Sequence, residues 1–303
     1  MTDHRIFAGQ PKARRVGLIL GLALIAMPSL ASASSLDLFY ERTVMIAADA
    51  QCGLFAGPVG SALAAAGAQA RGAALRAGTT KAMLKTVEKR ARSKASATPC
   101  TSPDLAVAAG RVRQAFEGYA RMIRMDYPGD HAGWSADRSS SVNALRWRLA
   151  QDLRQNGDRL VFGLAGRAGA NALMAVADLD VSEAPYGARL VMRDDAVTAG
   201  PYLNLQGSSL ATTPLSRRFS PPGAQVTFQA EARSHAGLDL LPKGMTKGWA
   251  FRFPANAAQA ISALDPREAV AVDFLFQDDQ VRRIYVEVGD FAAGRAFLQV
   301  ASR

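Results

Sequence analysis

The sequence predicts an α+β protein: an N-terminal helical bundle stapled by one disulfide, then a mainly antiparallel, sandwich-like β domain with two short helices. Three observations predict it. Residues 34–127 are rich in Ala and other helix formers with apolar side chains three and four apart, whereas the later chain carries short β-branched runs broken by Pro, Gly and Asp. Charge divides at the same place, with 13 Lys and Arg against 7 Asp and Glu over 34–127, and 19 against 18 over 128–303. The two cysteines, Cys52 and Cys100, both fall in the helical part. The expected boundaries are a signal peptide over 1–33, the bundle over 34–127, a linker over 128–141 and the β-rich domain over 142–303.

The opening residues carry Arg5, Lys12, Arg14 and Arg15 against Asp3, then run uncharged from Val16 to Leu30 and reach Ala31-Ser32-Ala33. That is the pattern of a cleaved secretory signal, because the apolar run of about 15 residues falls short of the roughly 20 that span a bilayer. The expectation is a mature chain beginning near Ser34, periplasmic or secreted, and not an integral membrane protein once processed. Nucleic acid is then excluded as a partner despite a net charge of +10. In an oxidising compartment the economical reading of Cys52 and Cys100 is a bond between them. Their spacing is wrong for a redox CxxC, and beyond residue 33 only His131 and His235 stand by to complete a zinc site.

Leu36 to Phe55 is apolar on more than one face, as befits a central helix. Ser61 to Ala77 is nearly all small residues, with Pro58 near its start and Gly78 as its stop. Gly67 and Gly72 each cost about 1 kcal/mol of helix propensity relative to Ala, which implies a close helix contact in compensation. Lys81 to Ala95 makes a third helix with Met83, Leu84, Val87 and Ala91 inward. The fourth follows an N-cap at Ser102 with Pro103 in its first turn, and its core stripe is Leu105, Ala108, Val112, Ala115, Phe116, Tyr119, Met122 and Ile123. Tyr127 to Trp134 and Ser139 to Ser141 are turn-rich and read as the linker.

Strands are expected at 160–162, 172–176, 188–192, 225–230, 249–253, 269–276 and 281–288, and helices at 255–264 and 291–300. Leu145 to Leu149 alternates in a way that suits either a strand or a helix end. In the last hairpin Val270, Val272, Phe274 and Phe276 share one face, as do Ile284, Val286 and Val288, so both sets must pair on one side of the sheet. Pairing Phe274 with Ile284 and Val272 with Val286 demands an odd loop: three residues at Asp278-Asp279-Gln280, or five.

Chemical motifs are weak. Gly163 to Gly169 has the spacing of neither a dinucleotide loop nor a P-loop. Ser234, His235 and Asp239 supply triad residue types without a nucleophile elbow. Asp178, Asp180, Asp194 and Asp195 offer oxygen ligands suited to Ca²⁺ but stand where turns want carboxylates. His131 and Trp134 are a sugar-stacking pair or, more plainly, a domain-docking pair. No catalytic residue, metal ligand or cofactor is therefore assigned.

The partner signal is a basic stripe, Lys81, Lys85, Lys89 and Arg92, at i, i+4, i+8 and i+11, with Arg90 and Lys94 nearby and Glu88 the one acid of that helix. A solvated face is its plainer use; its functional use is contact with an anionic envelope surface or another envelope protein. The apolar side of the helix is too small for insertion, so such contact is electrostatic and salt-sensitive.

The ending has a family likeness. Trp249-Ala250-Phe251-Arg252-Phe253-Pro254, then Ala257 to Leu264, the strand Val270 to Phe276 and Val286-Glu287-Val288-Gly289-Asp290-Phe291 together resemble the close of invasion-associated locus B-type periplasmic proteins, over roughly the last 55 residues. The resemblance implies a secreted envelope or host-interaction accessory with no established catalytic residues.

Two functional classes follow. The first is a non-catalytic extracytoplasmic envelope module. The alternative is a hydrolase of a cell-wall or other extracytoplasmic polymer, its acid and base drawn from Asp and Glu of the β part. A cleft gathering two carboxylates near an aromatic floor favours the hydrolase; a closed core with a basic face favours the module.

Overall fold

Ser34 accepts a hydrogen bond from the Asp37 backbone N–H and so starts α1 (Ser35–Cys52), which ends at Gly53 in the left-handed conformation. Residues 34–139, 141–167 and 170–300 are the ones described by this computed structural model, so the expected signal peptide lies outside them. Pro58 opens α2 (Gly57–Arg76), Thr80 caps α3 (Lys81–Ser96) through the Met83 N–H, and Pro103 opens α4 (Pro103–Arg121). Cys52 and Cys100 are bonded, with Cα atoms 5.6 Å apart, tying the end of α1 to the chain entering α4.

Small residues let α2 sit between its neighbours. A Cβ at Gly67 would lie 2.9 Å from Ile46 Cδ1 of α1, and one at Gly72 would lie 2.9 Å from the Asp290 carboxylate. Three expectations of inward side chains fail: on α4, Ala115 is exposed, one position off the packed run Leu105, Ala109, Val112 and Phe116. Met122 and Ile123 are exposed, because α4 stops at Arg121 and the backbone turns extended at Met122, which breaks the helical phase. Met83 is exposed because the buried stripe of α3 is Leu84, Val87, Ala91 and Ala95, one position away from it.

The strands are β1 (Arg124–Tyr127), β2 (Trp134–Asp137), β3 (Arg146–Gln155), β4 (Asp158–Arg167), β5 (Ala170–Asp178), β6 (Gly187–Arg193), β7 (Gln225–Gln229), β8 (Ala232–His235), β9 (Trp249–Phe253), β10 (Ala269–Leu275) and β11 (Val281–Glu287). Helix α5 (Ala255–Ala263) connects β9 to β10, and α6 (Phe291–Leu298) follows β11. All pairings are antiparallel, in a seven-stranded sheet ordered β1-β2-β3-β4-β5-β9-β8 and a four-stranded sheet ordered β11-β10-β6-β7. Their inner faces meet in one core, where Leu160, Phe162, Leu173 and Phe251 of the larger sheet pack with Leu190, Val272, Phe274 and Ile284 of the smaller. The Phe251 and Phe274 rings lie 5.5 Å apart. This is a sandwich.

The expected linker at 128–141 is corrected. Tyr127 and Trp134 pair directly across β1 and β2, and both are buried, so the Pro-Gly-rich residues are the turn of an edge hairpin. The Pro-Gly-rich residues do form a turn, but the four-residue strands that flank it are too short to show a period in the sequence. Trp134 packs edge-on to Phe291 of α6 at 5.0 Å, and Phe297 meets Tyr119 of α4 at 5.7 Å. Ala62 and Ala65 of α2 join the same core, so helices and sandwich are one body rather than two domains.

The last hairpin has the expected parity but a different register. Val272 pairs with Ile284 and Val270 with Val286, which moves the turn to Gln277–Asp279. Asp279 takes the left-handed conformation (φ 60°) that Asp tolerates, closing a three-residue turn one position earlier than the apolar pattern alone implied.

Candidate functional site

The basic stripe of α3 is only partly free. Lys81 reaches the β part, where its ammonium donates to Asp195 Oδ1 at 2.7 Å and to the Ala263 carbonyl at 3.2 Å. Burial pushes the Asp195 carboxyl up, but hydrogen bonds from Lys81 and Arg193 outweigh it and hold it below the usual range. Arg92 is paired with Glu88 one turn back, and Arg90 lies over the Tyr40 ring at 5.7 Å. Lys85, Lys89 and Lys94 are exposed and make no ion pair among the described residues. Behind them Leu84, Val87, Ala91 and Ala95 fix the helix against the core. Three outward ammonium groups on one rigid helix are thus available to an anionic partner.

A buried polar junction lies at the β1–β2 turn. Glu287 of β11 accepts the backbone N–H groups of Asp130 at 2.9 Å, His131 at 2.8 Å and Ala132 at 3.2 Å. The turn closes this tightly because residue 129 is Gly: a Cβ there would lie 2.0 Å from the Ala132 carbonyl oxygen. Gln151 donates to the Ala132 and Glu287 carbonyls and accepts the Glu287 N–H. Arg218, fully buried, donates to the Arg267 carbonyl and stands 3.4 Å from Glu287 and 3.3 Å from Asp130. Burial pushes the Glu287 carboxyl up, yet the backbone donors and Arg218 overcome it and hold Glu287 low. Asp130 is pushed up, first by burial and then by the Glu287 charge, with Arg218 opposing. The two carboxyls therefore separate in protonation around one guanidinium.

A cavity of about 490 Å³ opens beside this junction, lined by His131, Asp152, Thr212, Ser216 and Tyr285 among others. His131 Nε2 lies 2.8 Å from the Thr213 carbonyl. Asp152 is held bidentately by Arg159 at 2.7 and 3.0 Å. With its carboxylate enclosed by donors, Glu287 positions the loops around it rather than exchanging protons with a substrate. No local sequence signal marks it: Glu287 sits in an apolar run, and Arg218 ends a short Pro-flanked 3-10 turn.

The other residues singled out from sequence are scattered. Ser234 and His235 are consecutive on β8 and so point to opposite faces, which rules out a triad. Among the described residues no group of three or more His, Cys, Asp or Glu is placed to hold a metal ion. Asp194 accepts the Ala196 N–H in a local turn. Trp134 is buried with its indole N–H on the Val288 carbonyl, so it docks elements together and offers no sugar platform. Gly163 belongs to β4, where it pairs with Ala150 next to a bulge between Trp147 and Leu149. One cleft of about 290 Å³ does gather two carboxylates, Asp178 and Glu183, beside Trp249. That indole is already covered, with His235 at 4.0 Å and the Arg233 guanidinium at 3.8 Å from the ring centre.

No protein-family model, no curated protein and no solved structure matches this chain.

Proposed function

We propose that the chain is a non-catalytic extracytoplasmic module that docks on an anionic envelope surface through α3. The exposed, uncompensated Lys85, Lys89 and Lys94 carry this reading. The Cys52–Cys100 bond suits an oxidising compartment, in keeping with the signal-like N-terminus and with the resemblance of the ending to invasion-associated locus B-type proteins. Sedimentation of the purified 34–303 chain with anionic but not zwitterionic phospholipid vesicles supports the reading; equal sedimentation with both contradicts it. The Asp178–Glu183 cleft favours a second reading, a polymer hydrolase. Hydrolysis of peptidoglycan or glycan that is lost in Asp178→Asn or Glu183→Gln would replace the module reading.

A further inference from the structure

On part of its outer face, over β5 and its neighbours, the seven-stranded sheet carries small and apolar side chains where a solvated antiparallel face usually presents polar ones. Alternation with the core residues Leu164, Leu173, Ala175 and Phe251 sends Ala165, Ala172, Met174, Arg252 and Ala250 outward. One end of this face is roofed by the 236–245 segment, whose Leu240 and Met245 pack on Ala165, Val176 and Ala250, with the Trp147 indole donating to the Leu240 carbonyl. Among the described residues nothing roofs the other end. There a groove of about 480 Å³ runs over Leu145, Ala172, Met174 and Ala232, within the roughly 300–1,000 Å³ common for small-molecule sites.

The rim of this groove is cationic. Arg167 and Arg252 both line it. Arg167 makes no ion pair among the described residues, and the one carboxylate near Arg252 is Glu231, 3.8 Å away with both side chains half exposed. Guanidinium forks match the oxygens of a carboxylate in pairs, while a floor of Ala and Met accepts methylenes without demanding a hydrogen bond. We propose that the groove binds a free, single-chain anionic amphiphile of the fatty-acid class, its headgroup over Ala172, which the register places between Arg167 and Arg252, and its chain toward Met174 and Leu145. The site lies on the β sheet, away from α3, and stands whether or not α3 meets a membrane.

Calorimetric titration with sodium dodecanoate below its micelle concentration, with dodecyl maltoside as the neutral comparator, tests the site. Saturable one-to-one binding of dodecanoate is expected, weakened at least about tenfold by Arg167→Glu with Arg252→Glu through the loss of charge-assisted hydrogen bonds, and unchanged in Lys85→Gln with Lys89→Gln. Ala232→Trp, on the exposed edge strand β8, fills the groove and should abolish binding while leaving the thermal melt in place; should that variant unfold, the arginine pair decides. Absence of dodecanoate binding, equal binding of the maltoside, or indifference to the arginine pair would overturn the proposal. So would vesicle binding that depends on the two arginines without binding of the monomeric amphiphile.

Discussion

At Glu287 one buried carboxylate gathers three backbone N–H groups and faces one buried guanidinium, Arg218. Removing the charge leaves Arg218 buried with only Asp130 beside it, so Glu287→Gln should cost about 3–5 kcal/mol in urea unfolding at pH 7. A loss under about 1 kcal/mol would show that the junction is dispensable. Asp130 behaves in the opposite sense. Its native carboxyl is raised, so the stability linked to it is complete below the ordinary Asp value of about 4 and declines as pH rises through the native value. Asp130→Asn should remove that decline and flatten the stability curve above about pH 4, measured as urea midpoints across pH. Glu287, held low, gives stability that is present above its ordinary value of about 4.3 and is lost on acidification. None of this was legible in the sequence, because the partners lie 69 and 157 residues away from Glu287 along the chain and no local pattern joins them.

Among the helices, the two glycines of α2 separate a tolerant contact from an intolerant one. At Gly67 the atom a Cβ would meet is the end of the flexible Ile46 side chain, so Gly67→Ala should be nearly neutral once about 1 kcal/mol of helix propensity is regained. At Gly72 the atom is an oxygen of Asp290, which Arg76 holds bidentately at 2.8 and 2.9 Å. Gly72→Ala should therefore destabilise despite the same gain in propensity, as measured by thermal melts of the two variants side by side. Period and cap residues made the helices readable, β-branched runs between turn residues made seven strands so, and the signal-like N-terminus with two lone cysteines did the same for the disulfide. The hairpin β1–β2 and strand β8 were not readable, since runs of four residues hold too few alternations to stand out from a turn, and β3 was open only as a strand or helix end at 145–149, because a bulge between Trp147 and Leu149 and the buried Gln151 break its apolar alternation. The basic stripe was readable as a pattern, but the capture of Lys81 by Asp195, 114 residues later, belongs to tertiary structure.

At the scale of the whole molecule, α2 and α6 weld the helices to the sandwich through Ala62, Ala65, Phe291 and Phe297 in one core. The free cations of α3 are therefore presented from a rigid body, and binding through them needs no rearrangement. In the proposed docking mode Lys85 and Lys89, one turn apart on α3, face the surface together at about 1 kcal/mol each while Lys94 projects from the opposite flank, so the pair supplies about 2 kcal/mol, on the order of thirtyfold in affinity. The direct measurement is the partition of the purified 34–303 chain onto phosphatidylglycerol vesicles as sodium chloride is raised, for the parent and for Lys85→Gln with Lys89→Gln and Lys94→Gln. The account predicts binding that falls steeply as the Debye length shrinks from about 10 Å at 0.1 M toward 3 Å at 1 M, weakened on the order of thirtyfold in the triple variant and absent on phosphatidylcholine. Binding that ignores salt, or that survives the triple substitution intact, would contradict it.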